Sequence, residues 1–224
     1  MRVIYKAVDS FDSLIAFIKN NKSIQFKNGA KIYKRRRNIK MDMPYLNCYI
    51  TNTNSILKRS IIMVLTIFEG LIFSFVLLMI CVIDIQNGAV GGVHFYEQDV
   101  KDRVVELGLI TKKEIKKNLL LSGAPLWIYM IFLMPMAVYL INGADSFIKG
   151  FIQLTIIFWI GGAFDRIFID WYWVGHTKAW LIPGTEDLMP YIPKSALIKK
   201  WVSTIIGYPI FAALLSWIYS MIIL

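Results

Sequence analysis

Four long apolar runs constrain what this chain can fold into more than any other feature of its sequence. They occupy residues 61–83, 119–141, 147–168 and 202–224. Each approaches or exceeds the roughly 18–20 consecutive apolar residues that an α-helix needs to cross a bilayer. Only 18% of the 224 residues are charged, whereas about 25% is typical of a soluble domain. The sequence therefore predicts an all-α integral membrane protein with a bundle of four transmembrane helices in residues 61–224.

The distribution of Lys and Arg bears on how the first apolar run meets the membrane. With four spans and a cytoplasmic N-terminus, 14 of the 25 Lys and Arg residues lie on the cytoplasmic side. If the first run is instead re-entrant, bending at Glu69-Gly70, 24 of the 25 do. Enrichment of cations on the cytoplasmic side favours the re-entrant layout, whereas 23 unbroken apolar residues ordinarily span. Both layouts predict a multi-pass cell-membrane protein with its N-terminus in the cytoplasm.

The first 40 residues predict a small β-α-β-β appendage. Ser10 can cap a helix whose apolar residues recur at helical spacing. Residues 24–33 then alternate about Asn28-Gly29, a pair typical of β-hairpin turns. The amphipathic helix has a second interpretation, in which it lies on the membrane surface. Residues 41–60 are expected to be a linker, so the domains are 1–40, 41–60 and 61–224.

The net charge of +10 suggests either nucleic acid or an anionic membrane surface as partner. The placement of the basic residues favours the membrane, because four of their five clusters flank apolar runs, where Lys and Arg bind anionic headgroups. We therefore expect the partners to be the lipid bilayer and its anionic headgroups, and no nucleic acid. Frequent Ile, Lys and Asn residues are typical of an AT-rich bacterial genome, which points to a bacterial inner membrane.

Cysteine and histidine give no metal-binding pattern. Cys48 and Cys81 are far apart, and no CxxC pair exists, so neither a disulfide framework nor a cysteine-ligated metal site is expected. His94, Glu97 and Asp99 lie close in the chain, but their spacing fits no standard ligand motif. We interpret them as a solvated loop, and we expect no cofactor.

The best functional-site candidate is the polar group at the end of the third apolar run. Asp165, Arg166, Asp170 and His176 fall within twelve residues, although ionisable groups in hydrocarbon cost roughly 2.5–3.5 kcal/mol each on insertion scales. Arg166 and Asp170 are four residues apart, so they share a helix face and can pair. A purely structural interpretation is also open, because an Arg near a helix end commonly extends to the interface.

Glu69 is the second candidate, because it lies inside the first apolar run. An acid within a membrane helix is a functional-site hypothesis by default. The alternative is a glutamate hydrogen-bonded to Thr66, to Ser74 or to a neighbouring helix.

Several local features predict how the helices connect. Thr111 and Glu114 form a capping-box pattern at the start of the helix that leads into the second run. Pro125 and Pro135 predict kinks in that helix. Residues 142–145 predict a tight turn, 161–163 predict close helix packing, and the long loop 174–200 is a possible lid over the polar group.

These features leave three classes of function open. The favoured hypothesis is a membrane protein that binds or translocates a small molecule or ion at Glu69, Asp165, Arg166, Asp170 and His176. Because four helices are few for a pathway, a transporter would act as a homo-oligomer. The alternatives are a membrane-embedded enzyme acting on a lipid-like substrate at the interface, and a non-catalytic subunit of a membrane complex.

Overall fold

A computed structural model describes the backbone of residues 43–223 and the side chains of residues 55–223. No strand occurs among these residues. Three short 3₁₀ turns lie between the helices, at Ala89–Phe95, Lys178–Trp180 and Glu186–Leu188. The helices, in chain order, are α1 (Met43–Ile85), α2 (Gln98–Glu106), α3 (Lys112–Ile141), α4 (Phe147–Val174) and α5 (Lys194–Ile223).

The predicted bundle of four membrane-length helices is confirmed. Four stretches of helix in the described residues are long and apolar enough to cross a membrane, namely Ser55–Ile85 of α1 and the whole of α3, α4 and α5. These helices are compatible with a multi-pass membrane protein. The β-α-β-β unit predicted for residues 1–40 lies outside the described residues, and the division into domains stays a prediction. Residues 41–60, predicted as a linker, are helical from Met43 onward.

The first apolar run forms an uninterrupted helix. α1 continues through Glu69 and Gly70 without a break. Its apolar part contains 31 residues, which corresponds to about 46 Å at 1.5 Å per residue. That length exceeds the hydrocarbon core of about 30 Å. The geometry therefore supports the spanning layout and contradicts a bend at Glu69-Gly70.

Small residues let α4 approach its neighbours closely, as the sequence predicted for residues 161–163. A Cβ atom on Gly161 would lie 2.1 Å from the Phe73 ring of α1, and one on Gly162 would lie 2.5 Å from the Tyr208 ring of α5. α4 consequently lies between α1 and α5 at the centre of the bundle. The core they share consists of buried apolar residues from all four long helices, among them Phe73, Val138, Leu154, Ile157, Phe158 and Ala212.

Helices α3, α4 and α5 contain segments of π-helix, in which each turn is wider than in an α-helix. In α3 these segments are Tyr129–Leu133 and Ala137–Ile141, which begin after Pro125 and after Pro135. Proline removes a backbone hydrogen bond of the α-helix, so the sequence-predicted irregularity takes the form of wider turns. The other two segments, Asp165–Val174 in α4 and Ser203–Gly207 in α5, lie at the same end of the bundle.

A second core lies at that end. The connections 86–111 and 175–193 pack together there, and we call them the cap. Trp180, Ile182 and Tyr191 from the second connection are fully buried beside Val93 and Val100 from the first, to name the largest side chains. The Tyr96 hydroxyl donates a hydrogen bond to the backbone oxygen of Trp180 at 3.2 Å. The loop interpreted as a lid is therefore part of a packed core.

Candidate functional site

The structure places four of the five predicted site residues in two groups toward opposite ends of α4, and His176 in neither. Asp165, Arg166 and Asp170 lie together at the cap end. Glu69 instead contacts Asn142 at the α3–α4 turn, and Asn142 also bonds Gln153 of α4. Gln153 and Asp165 are 12 residues apart on α4, which corresponds to about 18 Å.

The first group is a chain of ion pairs that joins α4 to α5, and we call it the charged cluster. Arg166 Nη1 lies 3.0 Å from Asp165 Oδ2 and also donates to Asp170 Oδ2, so the pair predicted from the four-residue spacing forms. Lys200 Nζ donates to Asp170 Oδ1 at 3.0 Å. Sequence reasoning missed Lys200, whose only signal was its position just before the last apolar run.

The charged cluster balances its own charge. It holds two carboxylates and two cations, with the side chain of Asp170 only 6% exposed and that of Arg166 12% exposed. Arg166 Nε also donates to Thr204 Oγ1 of α5 at 3.4 Å. A buried charge is tolerated when it is paired and hydrogen-bonded. Each charge in the cluster is neutralised by another. The cluster therefore joins two helices and offers a ligand no unpaired charge.

The second group is an arrangement of oxygen-bearing side chains around Asn142, and we call it the carboxamide site (Thr66, Glu69, Asn142 and Gln153). Asn142 Nδ2 donates to Glu69 Oε2 at 2.9 Å and to Gln153 Oε1 at 3.0 Å. Thr66 Oγ1 lies 3.4 Å from Gln153 Oε1. These contacts bring together α1, the α3–α4 turn and α4. The alternative partner Ser74 is not involved, since its hydroxyl donates to the Gly70 carbonyl.

The carboxamide site is short of positive charge. No ion pair among the described residues includes Glu69. Asn142 is 4% exposed, and its Oδ1 atom is buried without a hydrogen-bond partner among the described residues. Rotating the Asn142 amide by 180° exchanges its oxygen and nitrogen. The rotation would replace these two hydrogen bonds by contacts between oxygens, so the four oxygens of Thr66, Glu69, Asn142 and Gln153 would need a cation between them to stay together.

His176 belongs to neither group. Its Nδ1 atom lies 2.6 Å from the backbone oxygen of Trp171, and its ring packs against the Trp171 indole with centroids 4.8 Å apart. This is a local contact at the end of α4, where a histidine can bond the last carbonyl groups of a helix. The structure gives His176 no contact with the other predicted site residues.

His94 is buried, so its interpretation as part of a solvated loop is wrong. Its side chain has no exposed surface, and Nε2 lies 3.5 Å from Asp84 Oδ2. Burial lowers the pKa of His94, a shift that Lys101 reinforces and that Asp84 and a hydrogen bond to the Gly91 carbonyl partly oppose. The neighbouring backbone is equally close, since a Cβ on Gly91 would lie 2.0 Å from the Asp84 carbonyl oxygen.

Asp84 lies between His94 and a serine, because Ser122 Oγ donates to Asp84 Oδ1 at 2.6 Å. In a hydrolase triad the histidine must lie between serine and acid to take the serine proton. The order observed here is therefore not one that activates Ser122. Within residues 55–223, no group of three or more His, Cys, Asp or Glu side chains is placed to hold a metal ion.

An open cleft of about 420 Å³ lies between the start of α2 and the start of α5. One wall of the cleft is lined by Glu97 and Asp99, which lie close to His94 in the sequence. The other wall is lined by Lys199 and Lys200. Lys200 also belongs to the charged cluster, so the cleft adjoins that cluster. The complete lining is Glu97, Gln98, Asp99, Pro193, Ser195, Ala196, Lys199 and Lys200.

Fold and site together are compatible with a polytopic membrane protein that has polar groups at two levels of its helix bundle. No family model, curated protein or solved structure matches this chain.

Proposed function

We propose that the chain is a multi-pass membrane protein that binds a monovalent alkali cation at the carboxamide site, in competition with a proton on Glu69. The observation that supports this most is the contrast between the two polar groups. Every charge of the cluster at the cap end has an opposite charge beside it. Glu69, in contrast, has no ion pair among the described residues and accepts its hydrogen bond from the neutral amide of Asn142.

An unpaired carboxylate between helices is costly in a medium of low dielectric constant. Such a group either takes up a proton or acquires a cation. Gln153 lies six residues into α4, about 9 Å from its start, so the site is inside the bundle and still near the α3–α4 turn. Ions from the aqueous phase at that end would have a short path to it.

The ligand set favours a monovalent cation over a divalent one. The site offers one carboxylate together with the neutral oxygens of Gln153, Thr66 and a rotated Asn142. Calcium sites in proteins usually combine several carboxylates with carbonyl oxygens, and this site has one. A single negative charge is neutralised by one alkali ion or by one proton, so the two ligands exclude each other.

Cation binding of this kind supports a transport role. The π-helical segments of α3 lie next to the site, because Ala137–Ile141 ends directly before Asn142. Wide turns of this sort are frequent at functional sites within helices. Movement of this end of α3 would carry Asn142 away from Glu69, and so would open and close the site.

The test measures thermal unfolding of the purified protein in lipid nanodiscs. Sodium, potassium and N-methylglucamine chloride are compared at equal ionic strength between about pH 5 and pH 8. A free cation concentration ten times the dissociation constant of the site adds about 1.4 kcal/mol to the free energy of unfolding. We therefore expect the unfolding temperature to rise by a few degrees with one alkali ion, and less at low pH because the proton competes.

Glu69→Gln should abolish that ion-specific rise, because it removes the charge and keeps the shape. Glu106→Gln, an exposed acid of α2, is the matched control and should keep the rise. The proposal fails if wild-type protein responds equally to all three salts at every pH, or if Glu69→Gln retains the alkali-ion response.

A further inference from the structure

The cleft between α2 and α5 has walls of opposite charge that do not touch. Glu97 and Asp99 lie on one wall and Lys199 and Lys200 on the other. None of the ion pairs among the described residues joins the two walls. The open volume of about 420 Å³ therefore separates acids from lysines that would otherwise attract one another. A ligand bearing both charges would bridge them.

The cleft adjoins the exposed apolar surface of α5. α5 passes from Lys199 and Lys200 directly into its apolar run, where Val202 and Ile206 are more than half exposed on the outer surface of the bundle. The side chains of Trp171 and Tyr172 lie at the same level and are also more than half exposed. Exposed Trp and Tyr are typical of the boundary between hydrocarbon and headgroups.

We propose that this cleft binds the headgroup of a phospholipid that carries a phosphate and a primary amine. The lysines and Ser195 hold the phosphate, for which Lys200 has free donors, since one of its three N–H groups is used on Asp170. Glu97 and Asp99 accept the ammonium group. The acyl chains lie along the exposed apolar face of α5. This inference does not depend on the cation site.

The two walls define which lipids are excluded. An anionic headgroup without an amine would leave Glu97 and Asp99 unpaired and repelled by the phosphate. A quaternary ammonium has no N–H group to donate to the carboxylates. A volume between about 300 and 1,000 Å³ is usual for small-ligand clefts, and the observed cleft falls at the lower end of that range, which suits a headgroup better than a whole lipid.

The experiment is native mass spectrometry of the delipidated protein in detergent micelles. The added lipids are dioleoyl phosphatidylethanolamine, phosphatidylcholine or phosphatidylglycerol. Soluble glycerophosphoethanolamine is added as competitor in a parallel series. We expect the ethanolamine lipid to bind about tenfold more tightly than the other two, and the soluble headgroup to displace it only weakly, because it lacks the chains.

Two variants and two controls separate the walls. Lys199→Gln should weaken ethanolamine-lipid binding about tenfold, and Glu97→Gln should remove the preference for ethanolamine over glycerol headgroups. Lys194→Gln and Glu106→Gln alter exposed residues of α5 and α2 that do not line the cleft. They should change neither the affinity for the ethanolamine lipid nor the preference for it over the glycerol lipid. All four positions are exposed, so thermal unfolding is measured to confirm that folding is unaffected.

Three outcomes would overturn the proposal. The first is equal binding of the three lipids by wild-type protein. The second is an effect of the control variants as large as that of Lys199→Gln. The third is full displacement by the soluble headgroup at concentrations equal to those of the lipid, which would assign the cleft to a water-soluble ligand.

Discussion

Replacing Asp170 by Asn tests whether the charged cluster holds α4 and α5 together. Asp170 accepts from Arg166 through one carboxylate oxygen and from Lys200 through the other, and its side chain is 6% exposed. The substitution keeps the shape and removes one negative charge. Arg166 retains Asp165 as its counter-ion, whereas Lys200 loses the only carboxylate it contacts among the described residues.

The expected loss of stability follows from the burial of these groups. Removing one partner of a buried ion pair typically costs about 3–5 kcal/mol. The side chain of Lys200 is 29% exposed, so it can turn toward solvent and recover part of its hydration. We therefore expect Asp170→Asn to lower the free energy of unfolding by about 3 kcal/mol, at the lower end of that range.

The assay is reversible unfolding in bilayer nanodiscs, followed by tryptophan fluorescence. Asp145→Asn is the matched control, because Asp145 also pairs with a lysine, Lys149, but both groups are exposed. That variant should leave stability unchanged within error. The double variant Asp170→Asn/Lys200→Met should lose less free energy of unfolding than the two single variants lose together, and the difference should be about 1–2 kcal/mol. If Asp170→Asn is no more destabilising than Asp145→Asn, the cluster does not hold the helices together.

Two further perturbations test other parts of the fold. Since burial lowers the pKa of His94, the unfolded state binds more protons than the folded state. Stability should therefore fall as pH drops below about 6.5, by at most about 1.4 kcal/mol per pH unit, and His94→Gln should flatten this slope in pH-dependent unfolding. Gly161→Ala should destabilise by about 1–3 kcal/mol in thermal unfolding, because its Cβ would overlap Phe73, whereas Gly123→Ala, whose Cβ meets nothing nearer than 3.9 Å, should be neutral or slightly stabilising.

The four membrane-length helices can be predicted from the sequence, because each contains one continuous run of apolar residues. The structure extends them beyond the apolar residues, as where α3 begins at Lys112 although its apolar run begins at residue 119. The predicted capping box explains that start. Thr111 Oγ1 accepts from the Glu114 backbone N–H, and the Glu114 carboxylate accepts from the Thr111 N–H.

The packed core of the cap cannot be predicted in the same way. Its core pairs residues that are far apart in the chain, such as Tyr96 with Trp180 and with Tyr191. Each of the two connections taken alone has the glycine, proline and polar residues of a loop. A single sequence contains no signal that two such loops will bury one another's aromatic residues, so the burial of His94 cannot be predicted from it.

Contacts between distant parts of the chain are equally hard to predict in the two polar groups. The contact between Arg166 and Asp170 follows from four-residue spacing within one helix, so it could be predicted. Lys200, Asn142 and Gln153 belong to other helices or turns, and their approach depends on how the helices pack. The sequence therefore left open whether Glu69 and the charged cluster share one level of the bundle, and the structure separates Gln153 from Asp165 by about 18 Å of helix.

The order of the cap segments along the chain has a consequence for synthesis. Val104, in the first connection, and Trp180, in the second, are both buried in one core, and they are 76 positions apart in the chain. At about 5–20 residues per second, the ribosome adds the second segment roughly 4–15 s after the first. During that interval Val93, Val100 and Val104 have no aromatic partners from the second connection to cover them. The core of the cap can therefore form only after α4 and the second connection have been synthesised, so it closes late in the biogenesis of the protein.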